Sequence, residues 1–178
     1  RGPRALRPQV KREAIRQRIM AIKEPRRVIA GGVLNFLFEN WDTVRYQIQE
    51  MLRAERIVRE ADIVHEIETY NELLGGAGEL GCTLMVEIPE AERRAELLCR
   101  WRDLPRHIYV KRDTGSKIYA RFDPRQSDDT RLSSVQYIKF ETQGEVPVAL
   151  GSDLPDLSLE VWLSPLQRAA LKADLVEV

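Results

Sequence analysis

The chain has 178 residues and a mass of 20.6 kDa, enough for one domain with little room for a second. Basic and acidic side chains both number 28, so the net charge is zero and gives no argument for a nucleic-acid or membrane surface. The sequence has no run of about 18 apolar residues, which excludes a transmembrane helix, and its two cysteines make no disulfide framework. We therefore expect a single domain, residues 1–178, in the reducing cytoplasm.

The charge is distributed unevenly along the chain. Residues 1–28 hold ten basic and two acidic side chains, a net charge of +8, which leaves −8 on the other residues. Ile15, Ile19 and Ile22 recur at helical spacing, so residues 1–25 are predicted to be a basic helical arm with an apolar stripe that docks on the core. We expect the arm to pair with the acidic body of the protein. Nucleic-acid binding is the less favoured alternative, because the arm has no interleaved aromatic side chains for base stacking.

Residues 26–78 are predicted to form a β-hairpin followed by two helices. The Gly-Gly pair at 31–32 lies between two apolar runs and suits a tight hairpin turn with positive φ angles. Either Asn40 or Asp42 is expected to cap the first helix, predicted over 43–60, by accepting a hydrogen bond from a first-turn amide.

The second helix is expected to begin at an Asp62 cap and to end at the glycine-rich loop 75–78. Over 79–178, short apolar runs alternate with turn signals, and Pro105 is expected to close a helix that starts near Pro89. Hairpins with few crossover helices indicate a mainly antiparallel sheet. The predicted strands are 80–88, 107–112, 117–122, 134–142, 146–150 and 157–163.

These elements predict an α+β fold. An N-terminal helical layer with a β-hairpin is expected to pack on the antiparallel sheet, and a C-terminal helix closes the domain. The start of that last helix is marked by Ser164 as the cap, Pro165 in the first turn and Gln167 three residues after the cap.

One polar cluster is a candidate site. Tyr46, Glu50 and Arg53 share a face of the first predicted helix, and Tyr70 and Asn71 near the end of the second could complete a buried polar network. The simpler interpretation is an amphipathic helix with an ion pair between Glu50 and Arg53, one turn apart, and residue chemistry alone favours it.

A carboxylate metal site is the second candidate. Asp62 and His65 are three residues apart on one helical face, and Glu50 and Glu55 lie on the preceding helix. Such oxygen and nitrogen ligands suit iron or another divalent metal, but a four-helix di-iron site needs two Glu-x-x-His motifs and this chain has a single Asp-x-x-His. We favour a solvated acidic face and keep the metal site, or an oxidoreductase built on it, as an alternative.

Motifs for other reactive centres are missing from the sequence. It has no Cys-x-x-Cys pair, no Gly-x-Ser-x-Gly elbow and no phosphate-binding loop. His65 and His107 are interpreted as isolated histidines, and Cys82 and Cys99 as ordinary cysteines in or near the core. We predict no catalytic residue and no cofactor, which favours a protein that is not an enzyme.

Two blocks of sequence are distinctive: Tyr-Gln-Ile-Gln-Glu-Met at 46–51 and Tyr70-Asn71. With the segment at 148–153, they resemble a bacterial family catalogued only as a domain of unknown function, and the resemblance covers nearly the whole chain. Members are often encoded beside iron–sulfur oxidoreductases of the heterodisulfide-reductase type and rubrerythrin-like proteins. The resemblance therefore implies a link to iron or redox metabolism, without an established activity. The chain departs from the family pattern at 31–32, where a Gly-Pro-His-like turn is expected.

The sequence and the resemblance together predict a non-catalytic accessory or binding protein. It would act through a protein partner, which the resemblance implies to be an iron–sulfur oxidoreductase or a rubrerythrin-like protein, and a homo-oligomer is left open. The alternatives are a metal-binding protein or oxidoreductase and a nucleic-acid binder that uses the arm. The candidate binding residues are Tyr46, Gln47, Glu50, Arg53, Glu55, Tyr70 and Asn71.

Overall fold

A computed structural model describes residues 8–126 and 130–176 and shows two antiparallel sheets surrounded by helices. This confirms the predicted α+β class with its C-terminal helix, but the one expected sheet is divided into two. The helices are α1 (Pro8–Lys23), α2 (Trp41–Ala54), α3 (Glu60–Asn71), α4 (Ala91–Arg100), α5 (Leu104–His107) and α6 (Pro165–Val176). The strands are β1 (Arg27–Ala30), β2 (Leu34–Phe38), β3 (Glu79–Val86), β4 (Ile108–Lys111), β5 (Lys117–Tyr119), β6 (Arg121–Phe122), β7 (Val135–Glu141), β8 (Ala149–Leu154) and β9 (Leu157–Trp162).

The first sheet has the strand order β1-β2-β3-β7-β6. The predicted hairpin is β1–β2, and its turn residues Gly31 and Gly32 have φ angles of 59° and 69°, which glycine adopts without steric cost. β2 continues into the sheet, with Phe38 opposite Cys82 on β3 and Cys82 opposite Ile138 on β7. The hairpin is therefore part of the first sheet and not a separate layer packed on it.

The second sheet has the strand order β5-β4-β8-β9. Its central strand β4 places Tyr109 opposite Tyr119 on one side and opposite Gly151 on the other. The strand predicted over 117–122 divides at Ala120, because its first part pairs with β4 and its last part crosses to pair with β7 of the first sheet. The two parts of the predicted strand therefore belong to different sheets, and the single sheet that was expected is in fact two.

One hydrophobic core lies between the two sheets. It contains fully buried phenylalanines from the first sheet, Phe36 and Phe140, and aliphatic residues from the second, Ile108 and Leu150. Leu171 of α6 is also fully buried in this core, so the C-terminal helix closes it. Burial of these large apolar side chains supplies most of the driving force for folding.

The ends of several helices differ from the prediction. The α2 cap is Asn40, whose side chain accepts a hydrogen bond from Thr43 N at 3.0 Å while Asn40 N donates to Thr43 Oγ1 at 3.0 Å. α2 ends well before residue 60, because Arg56 takes a left-handed φ of 54° that a helix cannot continue through. Asp62 lies in the first turn of α3 and not at its cap, and Pro105 lies in the first turn of α5 where it was expected to close a helix.

The basic arm is helical, as α1, and it pairs with acidic side chains of the body as expected. The predicted apolar stripe of the arm is confirmed only in part, because Ile19 is buried whereas Ile15 is 48% exposed. Within the described part of the chain, none of the helices is both long and apolar enough to cross a membrane. The ion pairs of residues 8–26 with the body are Arg12–Glu50 at 2.6 Å, Arg18–Asp42 at 4.0 Å and Arg26–Asp174 at 2.8 Å.

Candidate functional site

Helices α2 and α3 lie on the outer face of the first sheet, opposite the main core. Val44 and Ile48 of α2 are buried against Leu73, which follows α3, in a small apolar cluster of their own. The segment after α3 passes directly over β3, since a Cβ atom on Gly81 would lie 2.0 Å from the Leu73 carbonyl oxygen. Glycine at this position therefore holds the helix pair close to the sheet.

The structure divides the predicted polar cluster between two sides of α2. Glu50 faces the arm, where Arg12 donates two hydrogen bonds to its carboxylate at 3.2 and 2.6 Å, and Arg53 donates a third at 3.3 Å. The Arg12 hydrogen bond, with help from Arg53, lowers the pKa of Glu50 below its ordinary value. The expected Glu50–Arg53 pair is confirmed. Half-buried Tyr46 lies near Arg12, and Tyr70 does not join this group.

Tyr70 lies beside Gln47 instead. Burial raises the pKa of the Tyr70 phenol, the carboxylates of Glu66 and Glu55 raise it further, and the nearby Gln47 side chain opposes the rise. Gln47, Met51 and Glu55 are spaced four residues apart, so they form one face of α2 that is turned away from Glu50. This spacing is visible in the sequence, but the side on which α3 packs is not.

A groove of about 670 Å³ separates this face of α2 and α3 from strands β6 and β7. We call it the groove. Its helical wall carries three carboxylates, Glu55, Glu66 and Glu72, beside the Tyr70 ring. Of the seven predicted binding residues, two line it, Glu55 and Tyr70.

The strand wall of the groove carries mostly charges that are already paired. Arg121 donates a hydrogen bond to Glu79 at 2.6 Å, and Arg125 neutralises Asp123 at 2.6 Å. Lys139 of β7 also lines this wall. Because the helical wall adds three carboxylates against this one lysine, the groove is acidic on balance.

A single glutamine closes the edge of β7 at the groove. The Gln126 side chain accepts a hydrogen bond from Tyr137 N at 2.6 Å and donates one to Tyr137 O at 2.9 Å. These are the two bonds that a neighbouring strand would make, so the edge offers no template for pairing with another chain at this position. Tyr137 keeps its ring 41% exposed in the groove.

Asn71 lines a second space, which we call the polar pocket, of about 510 Å³. Its lining includes the buried carboxylate of Glu39, the residue that follows β2. Glu39 accepts hydrogen bonds from the hydroxyls of Thr43 at 2.5 Å and Thr83 at 2.7 Å. Lys139 lines both the groove and the polar pocket.

The four candidate metal ligands are dispersed. Glu50 is held by the arm, Glu55 lines the groove, and both Asp62 and His65 are exposed on α3. In residues 8–126 and 130–176, no group of three or more His, Cys, Asp or Glu side chains has an arrangement that could hold a metal ion. Metal binding stays a hypothesis, which metal analysis of the purified protein tests directly.

A further polar cluster lies on the outer face of the second sheet, and the sequence did not reveal it. His107 was expected to be isolated, but its Nδ1 lies 2.9 Å from a carboxylate oxygen of Asp153, because β4 pairs with β8. Asp153 also accepts hydrogen bonds from Tyr119 at 2.6 Å and Lys117 at 3.0 Å. The Tyr119 hydrogen bond, followed by those of His107 and Lys117, lowers the pKa of Asp153 to about 2.

The second carboxylate of this cluster is Glu160. It accepts hydrogen bonds from Tyr109 at 2.8 Å and Lys111 at 3.0 Å. Burial, and then the Glu160 carboxylate, raise the pKa of the Tyr109 phenol. Each acid in this group faces its own donors. We call the group the outer-face network, made of His107, Tyr109, Lys111, Lys117, Tyr119, Asp153 and Glu160.

Comparisons with known proteins add a family but no activity. A family model described as "Protein of unknown function (DUF3501)" matches residues 9–175. Among solved structures, the chain is similar to a novel protein of unknown function from Burkholderia pseudomallei K96243, with 29% identity and a TM-score of 0.85 over 94% of this chain and 92% of that chain. No curated protein matches the sequence. The geometry of the described residues therefore has to support any functional conclusion.

Proposed function

Since the chain belongs to the DUF3501 family of proteins of unknown function, we propose from its geometry that it is a non-catalytic accessory protein whose groove binds a basic segment of a protein partner. The identity of the partner, an iron–sulfur oxidoreductase or a rubrerythrin-like protein, is also part of the proposal. That part is supported by the sequence resemblance, which implies a link to iron or redox metabolism.

The observation that carries the proposal is the unequal charge of the two walls of the groove. Glu55, Glu66 and Glu72 stand on the helical wall, whereas the arginines at the strand wall are held by carboxylates of their own. A partner segment with lysine or arginine side chains would match this wall. Tyr70 and Tyr137 offer aromatic rings beside the carboxylates, and such rings attract cations by about 0.5–2 kcal/mol.

The ionisable groups of the groove favour binding over catalysis. Burial raises the pKa of Tyr70, so its phenol stays protonated at neutral pH and can donate a hydrogen bond but not act as a base. Cys82 also lines the groove but is only 2% exposed, and burial raises the pKa of its thiol, which as a protonated thiol is a poor nucleophile. Neither group is therefore suited to proton or acyl transfer, and the partly exposed Tyr70 phenol is suited to contact.

The test compares two double charge reversals, one at the groove and one away from it. Glu55→Lys with Glu66→Lys reverses the helical wall of the groove, and Glu92→Lys with Glu96→Lys makes the same change on exposed positions of α4. Binding of a purified iron–sulfur oxidoreductase of the heterodisulfide-reductase type, the proposed partner, is measured by titration calorimetry. We expect the groove variant to bind at least about tenfold more weakly and the α4 variant to bind like the wild type.

Salt provides an independent measurement on the same complex. Attraction between an acidic groove and a basic segment weakens as the ionic strength rises, since screening shortens the Debye length to about 10 Å at 0.1 M. The wild-type affinity should therefore fall with added salt, and the groove variant should lose most of this dependence. Equal affinities of the two double variants, with both correctly folded, would refute the proposal.

A further inference from the structure

Two exposed helical faces of this chain are apolar and carry opposite charges. One belongs to α6 and the other to α3. From their complementarity we infer that two copies of the chain associate as a symmetric dimer, in which α3 of each copy packs on α6 of the other. The inference concerns the side of α3 that is turned away from the groove, so it does not depend on the function proposed for the groove.

The outer face of α6 exposes apolar side chains where a surface helix ordinarily carries polar ones. Leu171 anchors the helix in the core, and on the opposite face Leu166 and Val176 are 76% and 77% exposed. Ala169 and Ala173 are exposed on the same face, between these two larger residues. A contiguous apolar surface of this kind indicates an interaction site, whereas a single exposed apolar residue does not.

Two basic side chains flank the outer face of α6. Arg168 and Lys172 are one turn apart and border an open apolar cleft of about 440 Å³ between the helix and Val146. Both are exposed, and within the described residues neither has a carboxylate at ion-pair distance. Asp174 of the same helix is held by Arg26. The surface that covers this face is therefore expected to be apolar and to carry carboxylates.

Helix α3 has this character. Its twelve residues include four acids and no lysine or arginine, and none of the twelve is buried. On the side away from the groove, Val64 and Ile67 are 47% and 39% exposed. Glu60 and Glu68 lie four residues before and after Val64, so helical spacing places both carboxylates beside the apolar pair. In the part of the chain that the structure describes, neither glutamate has a cationic partner.

The two helices match in length and lie on neighbouring parts of the surface. Each has 12 residues, which is about 18 Å. Asn71 at the end of α3 and Asp174 of α6 both line the polar pocket, and Trp41 lines it with 59% of its surface exposed. Because the helices flank the same pocket, a two-fold axis near it forms the α3–α6 contact twice, as an isologous interface requires.

The dimer is expected to be reversible. Stable, specific interfaces bury about 1,200 Å² or more in total, and two pairs of short helices supply a small interface. We therefore expect a dissociation constant on the order of 10 μM. Because the helices also attract each other by charge, the affinity should fall as the ionic strength rises.

The experiment is sedimentation velocity on the full chain from about 2 to 200 μM, a range that brackets this dissociation constant. The α6 variant is Arg168→Glu with Lys172→Glu, and the α3 variant is Glu60→Lys with Glu68→Lys. Each variant alone places like charges opposite each other in both contacts, so we expect its dimer to be at least about tenfold weaker than that of the wild type. An equimolar mixture of the two variants pairs opposite charges in both contacts and should dimerise like the wild type.

The matched control is Glu92→Lys with Glu96→Lys on α4, which makes the same charge change as the α3 variant and should dimerise like the wild type. All substituted positions are exposed, and circular dichroism verifies that each variant is folded. The inference is wrong if the wild type stays monomeric at 200 μM or if the mixture of the folded variants stays monomeric. It is also wrong if the α3 variant dimerises like the wild type, since α6 would then pair without α3.

Discussion

The outer faces of the two sheets both carry charged and aromatic side chains, but they differ in how these side chains are paired and covered. The second sheet carries the outer-face network, in which each carboxylate is matched by hydroxyl, ammonium or imidazole donors on neighbouring strands. The first sheet is overlaid by α2 and α3, which leave the groove and the polar pocket between helix and strand. A dense group of titratable side chains is therefore not in itself a site. Unmatched charge beside an open cavity is the more informative feature.

The two faces also differ in how much each charged pair contributes to stability. Arg26 and Asp174 are 11% and 7% exposed in their bidentate pair beside the polar pocket, whereas Lys117 and Asp153 of the outer-face network are 35% and 31% exposed. Solvent screens the second pair and leaves the first largely unscreened. Removal of the aspartate should therefore lower the free energy of unfolding more for the Arg26–Asp174 pair than for the Lys117–Asp153 pair.

The largest expected effect comes from Asp174. Asp174→Ala leaves the buried Arg26 guanidinium without its carboxylate, and we expect unfolding free energy to fall by about 3–5 kcal/mol. Asp153→Ala is the matched change on the second sheet and should cost less, about 1–2 kcal/mol, because solvent screens its pairs. Urea unfolding followed by circular dichroism measures both. If the two variants lost similar amounts of unfolding free energy, the proposed difference in ion-pair strength between the two faces would be wrong.

A smaller effect is expected where the helices meet the first sheet. Gly81→Ala would place a Cβ atom 2.0 Å from the Leu73 carbonyl oxygen, so the segment after α3 must move and we expect a loss of about 2–3 kcal/mol. In Gly76→Ala the nearest atom is the end of the flexible Glu79 side chain, at 3.2 Å. This control should lose less than about 1 kcal/mol in the same urea experiment. A neutral Gly81→Ala would show that the helix pair is not held close to β3.

The smallest effect concerns pH and the outer-face network. The pKa of Asp153 is about 2 in the folded protein and near 3.8 in the unfolded chain, so the folded state holds its proton less tightly. The stability that Asp153 contributes is complete above about pH 4 and is lost as the pH falls towards 2. The difference in unfolding free energy between the wild type and Asp153→Asn should shrink across this range. A difference that stays constant from pH 5 to pH 2 would contradict the assignment.

Local signals in the sequence predicted much of the framework. The Asn40 cap, the turn at 31–32 and the Ser164–Gln167 capping box all depend on residues within four positions of each other, and all are present. The amphipathic patterns also placed most of the strands to within a few residues. Short-range physical chemistry is sufficient for these features because the partners are already adjacent along the chain.

Most of the side-chain contacts that the sequence did not predict depend on distant partners. Arg12 and Glu50 are 38 residues apart, and His107 and Asp153 are 46 apart, so neither contact leaves a periodic signal. For the same reason the predicted polar cluster divided: the choice between Gln47 and Glu50 as the neighbour of Tyr70 depends on which side of α2 receives α3. The burial of Glu39 was missed because it depends on Thr83 of β3, 44 residues further along the chain, in addition to Thr43 four residues away.

Hydrogen–deuterium exchange of the chain, with and without an iron–sulfur oxidoreductase as the proposed partner, tests the central proposal most directly. If the groove is the binding surface, protection should appear in 47–55, 66–73, 121–126 and 137–139, and β4, β5 and β9 of the second sheet should exchange as in the free protein. Protection confined to 107–119 and 157–162, with the groove unchanged, would transfer the binding surface to the outer-face network and contradict the account given above.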